Sequence, residues 1–248
     1  MKVLVHGAGG HMGQIVCQMV REGKYGAELE ARVSPELASD PANAVYATLN
    51  EYKGDADVVV DFSNHSSTEA LLTYCTERNI PVVIATTGQT EAEHELILAA
   101  SETIPVFFSA NMSVGIAVLA DIVKRAAAAF PEADIEIIEK HHNRKLDVPS
   151  GTALMLANAI YDVRRNAVFN IGRHTNGKRT PEEIGIHSLR YGNEVGTHEI
   201  IISNGNETIT LKHEAENRSL FADGALKAAS FLIGKPAGLY TMKEMFAS

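Results

Sequence analysis

The sequence predicts an α/β protein in two parts: a parallel sheet covered by helices on both faces, then an α+β part whose sheet is antiparallel or mixed. Three observations predict it. In the first half, apolar runs without alternation, such as Asp57 to Phe62 (DVVVDF) and Ile80 to Ala85 (IPVVIA), are spaced by helical patterns. Strands buried on both faces read this way. In the second half, IHSLRYG, EVGTHEIIIS and ETITLKHEA succeed one another with no helix between, separated by the turn signals Gly192-Asn193 and Asn204-Gly205. Finally, 248 residues with 45% apolar and 21% charged side chains can build a core without disulfide or metal staples.

Taken in order, Val3 to Val5 reads as a strand, Gln14 to Arg21 as a helix and Leu29 to Val33 as a second strand. Asp57 to Phe62 is a strand, Ser66 to Arg78 a helix with a Ser/Thr-rich entry, and Ile80 to Ala85 a strand. A helix over Glu91 to Ser101 and a short strand over Val106 to Phe108 follow. The pattern then changes. Val114 to Phe130 is a long alanine-rich helix, and Asp134 to Lys140 alternates apolar and charged residues as a half-exposed strand does. Gly151 to Tyr161 is helical, 166–183 is polar and reads as a loop, and Phe221 to Ile233 closes the pattern as a helix. The chain shows no internal repeat and no low-complexity linker.

Composition narrows the function classes. With 22 basic against 31 acidic residues the formal net charge is −9, which argues against a nucleic-acid footprint or a polybasic membrane anchor. A locally basic pocket for a small anion remains compatible with it. Cys17 and Cys75 form no CxxC pair and no disulfide framework. No run approaches the roughly 18 apolar residues of a membrane span, and MKVLVHGAGG is broken by glycines too early for a signal peptide. A cytoplasmic protein that meets neither nucleic acid nor membrane is expected.

The glycine turn Gly7-Ala8-Gly9-Gly10-His11-Met12-Gly13 directly follows a strand and opens a helix. In that context Gly7 permits the tight turn, Gly9 or Gly10 lets backbone N–H groups approach a pyrophosphate, and Gly13 allows close helix–sheet packing. An anion then sits at the helix N-terminus. This predicts a Rossmann-like N-terminal domain, against the alternative of an ordinary strand-to-helix turn. The second strand ends on Ser34 rather than an acid, with Glu28 and Glu30 too early. A serine hydroxyl can donate to a ribose 2′-hydroxyl or to a 2′-phosphate and repels neither, so NADPH or NADH is expected, with a lean to NADPH. The strand-end loops Asp61-Phe62-Ser63-Asn64 and Ala85-Thr86-Thr87-Gly88 suit ribose and nicotinamide contacts or, equally, helix capping.

The densest polar segment is Glu139 to Ala153, EKHHNRKLDVPSGTA. It sets two histidines and several cations between a strand and a helix entry at Ser150 or Thr152. A helix N-terminus beside Lys145 and two histidines can trap a dicarboxylate or a phosphate, and a histidine there can supply a proton near neutral pH. Its bland reading is a solvated basic loop. Zinc on His141, His142 and Asp147 is the rival reading. Adjacent histidines point to opposite sides of a strand and no HExxH or CxxC is present, so no metal is expected.

GAGGHMG, DFSN, ATTG, SANMSVG, RYGNEVGTHE, the GLYTM tail and above all EKHHNRKLDVPSGTA resemble the 4-hydroxy-tetrahydrodipicolinate reductase (dihydrodipicolinate reductase) family over nearly the whole chain. The resemblance implies NAD(P)H-dependent reduction of a cyclic imine dicarboxylate on the diaminopimelate and lysine route, with hydride delivered to C4. It implies a dinucleotide-binding domain over 1–113 with 218–248, and a substrate-binding and tetramerisation domain over 114–217, in a homotetramer. Cofactor contacts would fall on Gly7, Ala8, Gly9, Gly10, His11, Met12, Ser34, Ala85, Thr86, Thr87, Ser109, Ala110, Asn111 and Met112. His141 matches the catalytic acid/base and Lys145 a second proton donor; His142, Lys145, Gly151 and Thr152 match substrate-binding positions. This chain departs from the family at His11, often Arg there, at Ser34, often acidic, and at Met112, often Phe.

Overall fold

In the computed structural model, which describes residues 1–246, the chain folds as two compact units. One is Met1–Ser113 together with the chain from Ser219 onward; the other is Val114–Arg218. The last two residues of the C-terminal return expected above, 247–248, lie outside the described residues.

The first unit is built in the order β1 (Lys2–His6), α1 (His11–Arg21), β2 (Glu28–Val33), β3 (Val45–Tyr46), β4 (Val58–Asp61), α2 (Thr68–Arg78), β5 (Val82–Ile84), α3 (Glu91–Ser101) and β6 (Pro105–Phe108). These strands and the late β12 (Gly238–Tyr240) form one sheet in the order β12-β6-β5-β4-β1-β2-β3, parallel throughout. Every residue of β4 is buried, because α2 and α3 pack on one face while α6 (Ser219–Leu232) crosses β4, β5 and β6 and lies along α1 on the other. That two-sided burial is why these strands do not alternate in sequence. The short α7 (Met242–Phe246) ends the described chain. Thus the parallel, Rossmann-type sheet expected from the non-alternating strands is present.

The second unit contains α4 (Val114–Ala129), β7 (Asp134–His141), α5 (Gly151–Tyr161), β8 (Val168–Ile171), β9 (Glu183–Arg190), β10 (Gly196–Ser203) and β11 (Thr208–Ala215). Its sheet runs β11-β10-β7-β9-β8. β7, β8 and β9 are mutually parallel where paired, and β10 is antiparallel to both neighbours, so the sheet is mixed. One face is a stack of rows. Ile135, Ile184 and Ile202 make the first and Ile137, Ile186 and Ile200 the second, all but Ile202 fully buried, with α4 and α5 above them. Burying each such side chain contributes about 2–3 kcal/mol. The segment expected as a loop over 166–183 contains the edge strand β8, which pairs parallel to β9 although Val168 and Ile171 are exposed. The turn after it is tied down by Arg173 on Glu183 and by Arg179 on Glu136 at 2.5 Å.

Candidate active site

In the first unit, the glycine turn is fixed by sterics. Gly7 has φ +79°, and a Cβ there would collide with the Phe62 carbonyl; a Cβ on Gly13 would collide with the Gly7 carbonyl. These two glycines therefore let the start of α1 lie against the strand ends. The Gly7 and Ala8 N–H groups donate to the Val33 carbonyl, at 2.8 and 3.1 Å. The N-cap of α1 is Gly10, which supplies no side-chain acceptor, and no acid stands in the first turn. The orphan N–H groups of that turn and the helix dipole are thus left for an external anion.

A cavity of about 560 Å³ opens beside this turn. It is lined by Gly10, His11, Met12, Phe62, Ser63, Asn64, Ala85, Thr86, Thr87, Ala110, Asn111, Met112 and Phe221. Nine of the residues expected to meet a cofactor are therefore brought together. Gly7, Ala8, Gly9, Ser34 and Ser109 do not line it. Ser109 instead shapes its rim: its hydroxyl donates to the Asn111 carbonyl at 2.8 Å, and the Asn111 carboxamide oxygen accepts from the Ser113 N–H at 2.8 Å. Behind the loops, Asp61 is 2% exposed and collects His6 Nδ1 at 2.8 Å, the Thr86 hydroxyl at 2.7 Å and the Ser63 hydroxyl at 2.6 Å. One carboxylate thereby locks both strand-end loops. Phe221 was missed in the sequence. It reaches the cavity from α6, whose Gly224 admits the Met112 carbonyl where any Cβ would collide.

Ser34 requires a correction. Its hydroxyl donates to Glu36 Oε2 at 2.6 Å, and that oxygen would stand 2.6 Å from a Cβ placed on Gly9. The end of β2 thus carries a carboxylate after all, two residues beyond the position where an acid was sought. The expectation counted only Ser34 at this strand end and left Glu36 out.

In the second unit, the apolar rows of the mixed sheet give way to polar ones at the end of β7. Glu139 sits beside His198 of β10, with His213 of β11 next, and His141 follows on the same face beside Arg190 of β9. His141 is 8% exposed and Glu139 fully buried. His141 Nδ1 is hydrogen-bonded to Glu139 Oε2. Arg190 grips the same carboxylate with both terminal nitrogens, at 2.9 and 2.6 Å, and the Ser150 N–H donates to it at 3.2 Å. Burial acts to raise the Glu139 pKa, but His141 and Arg190 outweigh it and hold the carboxyl at about 2. Burial, seconded by His141, pushes His198 down to about 3. The His141 ring edge bearing Nε2 faces Gly196, where a Cβ would come within 3.1 Å.

Around this pair lie the start of α5 and the loop that precedes it. Ser150 caps α5, accepting from the Ala153 N–H at 3.2 Å and sharing a 3.1 Å hydrogen bond with His198 Nε2. Lys145 Nζ pairs with Asp147 at 2.8 Å. Burial would raise the Asp147 carboxyl, but Lys145 and the backbone N–H groups of Asp147 and Gly151 prevail and lower it. At the start of α5 the Gly151 N–H thus faces the carboxylate of Asp147. His142 Nε2 accepts from Arg218 at 3.3 Å, and burial together with Arg144 and Arg218 depresses its pKa. Glu139, Arg190, His198 and Arg218 were given no role in the sequence; Glu139, Arg190 and His198 lie in the quoted EKHHNRKLDVPSGTA and RYGNEVGTHE motifs, whereas Arg218 lies in none. Lys140, counted in the basic cluster, turns to the other face of β7. Glu139, His141 and His198 bring ligand atoms within 4.8 Å of one another. The four acceptor sites of the Glu139 carboxylate are, however, taken by His141, two Arg190 nitrogens and Ser150.

Comparison with known proteins gives the family. The family model described as dihydrodipicolinate reductase, N-terminus, matches residues 1–112, and that described as dihydrodipicolinate reductase, C-terminus, matches 115–246. The chain is 47% identical to the 4-hydroxy-tetrahydrodipicolinate reductase of Caldanaerobacter subterraneus subsp. tengcongensis over 99% of this chain and 98% of that one. It is 43% identical to the enzyme of the same name from Clostridium novyi over 100% and 98%. Among solved structures, a dipicolinate-bound dihydrodipicolinate reductase from Paenisporosarcina sp. TG-14 superposes with a TM-score of 0.79 at 26% identity, covering 97% of each chain. An aspartate dehydrogenase from Thermotoga maritima, at 16% identity and TM-score 0.51, shares the fold alone. The chain therefore belongs to the 4-hydroxy-tetrahydrodipicolinate reductase family of oxidoreductases.

Proposed function

We propose that this chain reduces 4-hydroxy-tetrahydrodipicolinate with a nicotinamide dinucleotide, NADH in preference to NADPH, and that His141 supplies the proton. The carrying observation is the Glu139–His141 pair beside a carboxylate-welcoming helix N-terminus, on a chain that also holds a glycine-capped dinucleotide cradle. The bound nicotinamide supplies the hydride. The residues Gly10 to Met12, Ala85 to Thr87 and Ala110 to Met112 would hold the dinucleotide in the cavity that they line. Lys145, His142 and the N–H groups of Gly151 and Thr152 would hold the substrate carboxylates, with Asp147 giving way. Holding both carboxylates removes rotational freedom before the reaction.

Glu36 carries the cofactor preference. An acid at the end of the second strand accepts from the ribose 2′-hydroxyl and repels a 2′-phosphate, and no Lys or Arg stands between Val33 and Tyr52 to offset it. The test is a coupled assay in which pyruvate and aspartate semialdehyde generate the labile substrate and loss of reduced nucleotide is followed. NADH should be oxidised with the higher kcat/KM, and Glu36→Ala should cut that advantage by about 10-fold, the worth of one good hydrogen bond to a charged group. Binding of either nucleotide without turnover would reject the reductase reading; tighter binding of NADPH than NADH would reject the role of Glu36.

The face of the mixed sheet opposite its core carries half-buried Ile138 and Ile201 and exposed Leu189. We read it as the surface of a homotetramer, so sedimentation should give four chains per particle and Leu189→Glu a smaller one. Among the described residues no helix is long and apolar enough to cross a membrane.

A further inference from the structure

We infer that Glu139 is the positioning residue of this site: it holds the Nδ1 edge of His141, so that the proton to be delivered stands at Nε2. The inference rests on the reading of His141 as proton donor. Glu139 lies in line with Ile135 and Ile137 on the core face of β7 and is 0% exposed. For packing alone an apolar side chain would serve there, since a buried ion pair seldom stabilises more than well-packed hydrocarbon. What the carboxylate adds is direction. Arg190 and the Ser150 N–H fix both of its oxygens, leaving Oε2 to accept from His141 Nδ1. The hydrogen bond at one ring nitrogen decides where the other proton sits. Nε2 then faces Gly196, where β10 presents no side chain to it.

Several elements face this pair. Arg190 comes from β9, and His198 comes from β10 with its ring centroid 5.2 Å from that of His141. The Ser150 N–H comes from the start of α5, and Lys145 with Asp147 from the preceding loop. Glu139 is the group hydrogen-bonded to His141 Nδ1, so replacing its carboxylate changes which ring nitrogen holds the proton.

The experiment compares wild type with Glu139→Gln, Glu139→Asp, His141→Ala and the Glu139→Gln/His141→Ala double variant. It reads kcat, KM and the ring-nitrogen NMR shifts of His141, which report which ring nitrogen carries the proton. Glu139→Gln should lower kcat by about 10- to 100-fold, as loss of a carboxylate partner behind a functional histidine does, with KM within about 2-fold. Its neutral His141 should lose the Nδ1–H form that the wild type holds against Glu139. Glu139→Asp, which keeps a carboxylate opposite Arg190, should retain the wild-type tautomer and an intermediate kcat; it also serves should the glutamine variant not fold. In the His141→Ala background, Glu139→Gln should cost nothing further. An equal loss with and without the imidazole, or an unchanged His141 tautomer in Glu139→Gln, overturns the inference. If His141→Ala keeps wild-type kcat while the tautomer still changes, the proton-donor reading falls and the Glu139–His141 coupling stands.

Discussion

His141→Ala should lower kcat by about 10²–10⁴, the span that a positioned general acid contributes, and should leave KM within a few-fold. The prediction follows from a division of labour in the site. On the proposed reading Lys145, His142 and the start of α5 hold the carboxylates, and none of them is His141. His141 is 8% exposed, its Nδ1 is engaged by Glu139, and its Nε2 edge faces Gly196. Truncation would therefore remove the proposed proton donor without dismantling the proposed carboxylate site. Single-turnover kinetics of NADH oxidation, with the substrate generated in place, would measure it. A kcat within 3-fold of wild type would transfer the proton to Lys145 or to solvent. A large rise in KM with normal kcat would make His141 a binding group.

Local sequence carried the frame of this molecule. The non-alternating runs of β4 and β5 announced a sheet covered on both sides, and the glycine turn announced what its end would face. Both are nearest-neighbour properties of the chain. The elements that stayed hidden are short and held by partners. β3 has two residues, β12 three, and β8 is an edge strand with an exposed surface pattern that forms because β9 offers it a parallel ladder. The site shows the same division. EKHHNRKLDVPSGTA places His141, His142, Lys145 and the α5 entry together because they are consecutive. The Arg190 clamp on Glu139 joins residues 51 positions apart, and Arg218 reaches His142 across 76. Glu36 escaped because the acid was sought at Ser34, directly after β2, whereas the turn after the strand folds Glu36 back onto Ser34 and the glycine loop.

The same polar rows that make the site should make the protein sensitive to acid. His198 is 4% exposed and held near 3, against 6.5 in the unfolded chain. Between those values the unfolded chain binds a proton that the folded one refuses, so stability rises with pH and is lost as pH falls from about 6.5 toward 3. Glu139, held at about 2 against 4.5, acts with the same sign in a lower window, its contribution being present above 4.5 and lost as pH falls toward 2. The first loss thus begins at mildly acid pH and the second joins it below 4.5. Together they should remove a few kcal/mol between pH 7 and pH 4, a large part of the 5–15 kcal/mol typical of a domain. Calorimetric Tm values across that range should fall steeply, and His198→Gln should flatten the slope between pH 6 and pH 4.5 while lowering Tm at pH 7.5 only modestly. An unchanged slope in that variant would mean that His198 takes up its proton in the folded protein near the ordinary histidine pH, and that its burial between His141 and His213 does not resist charge.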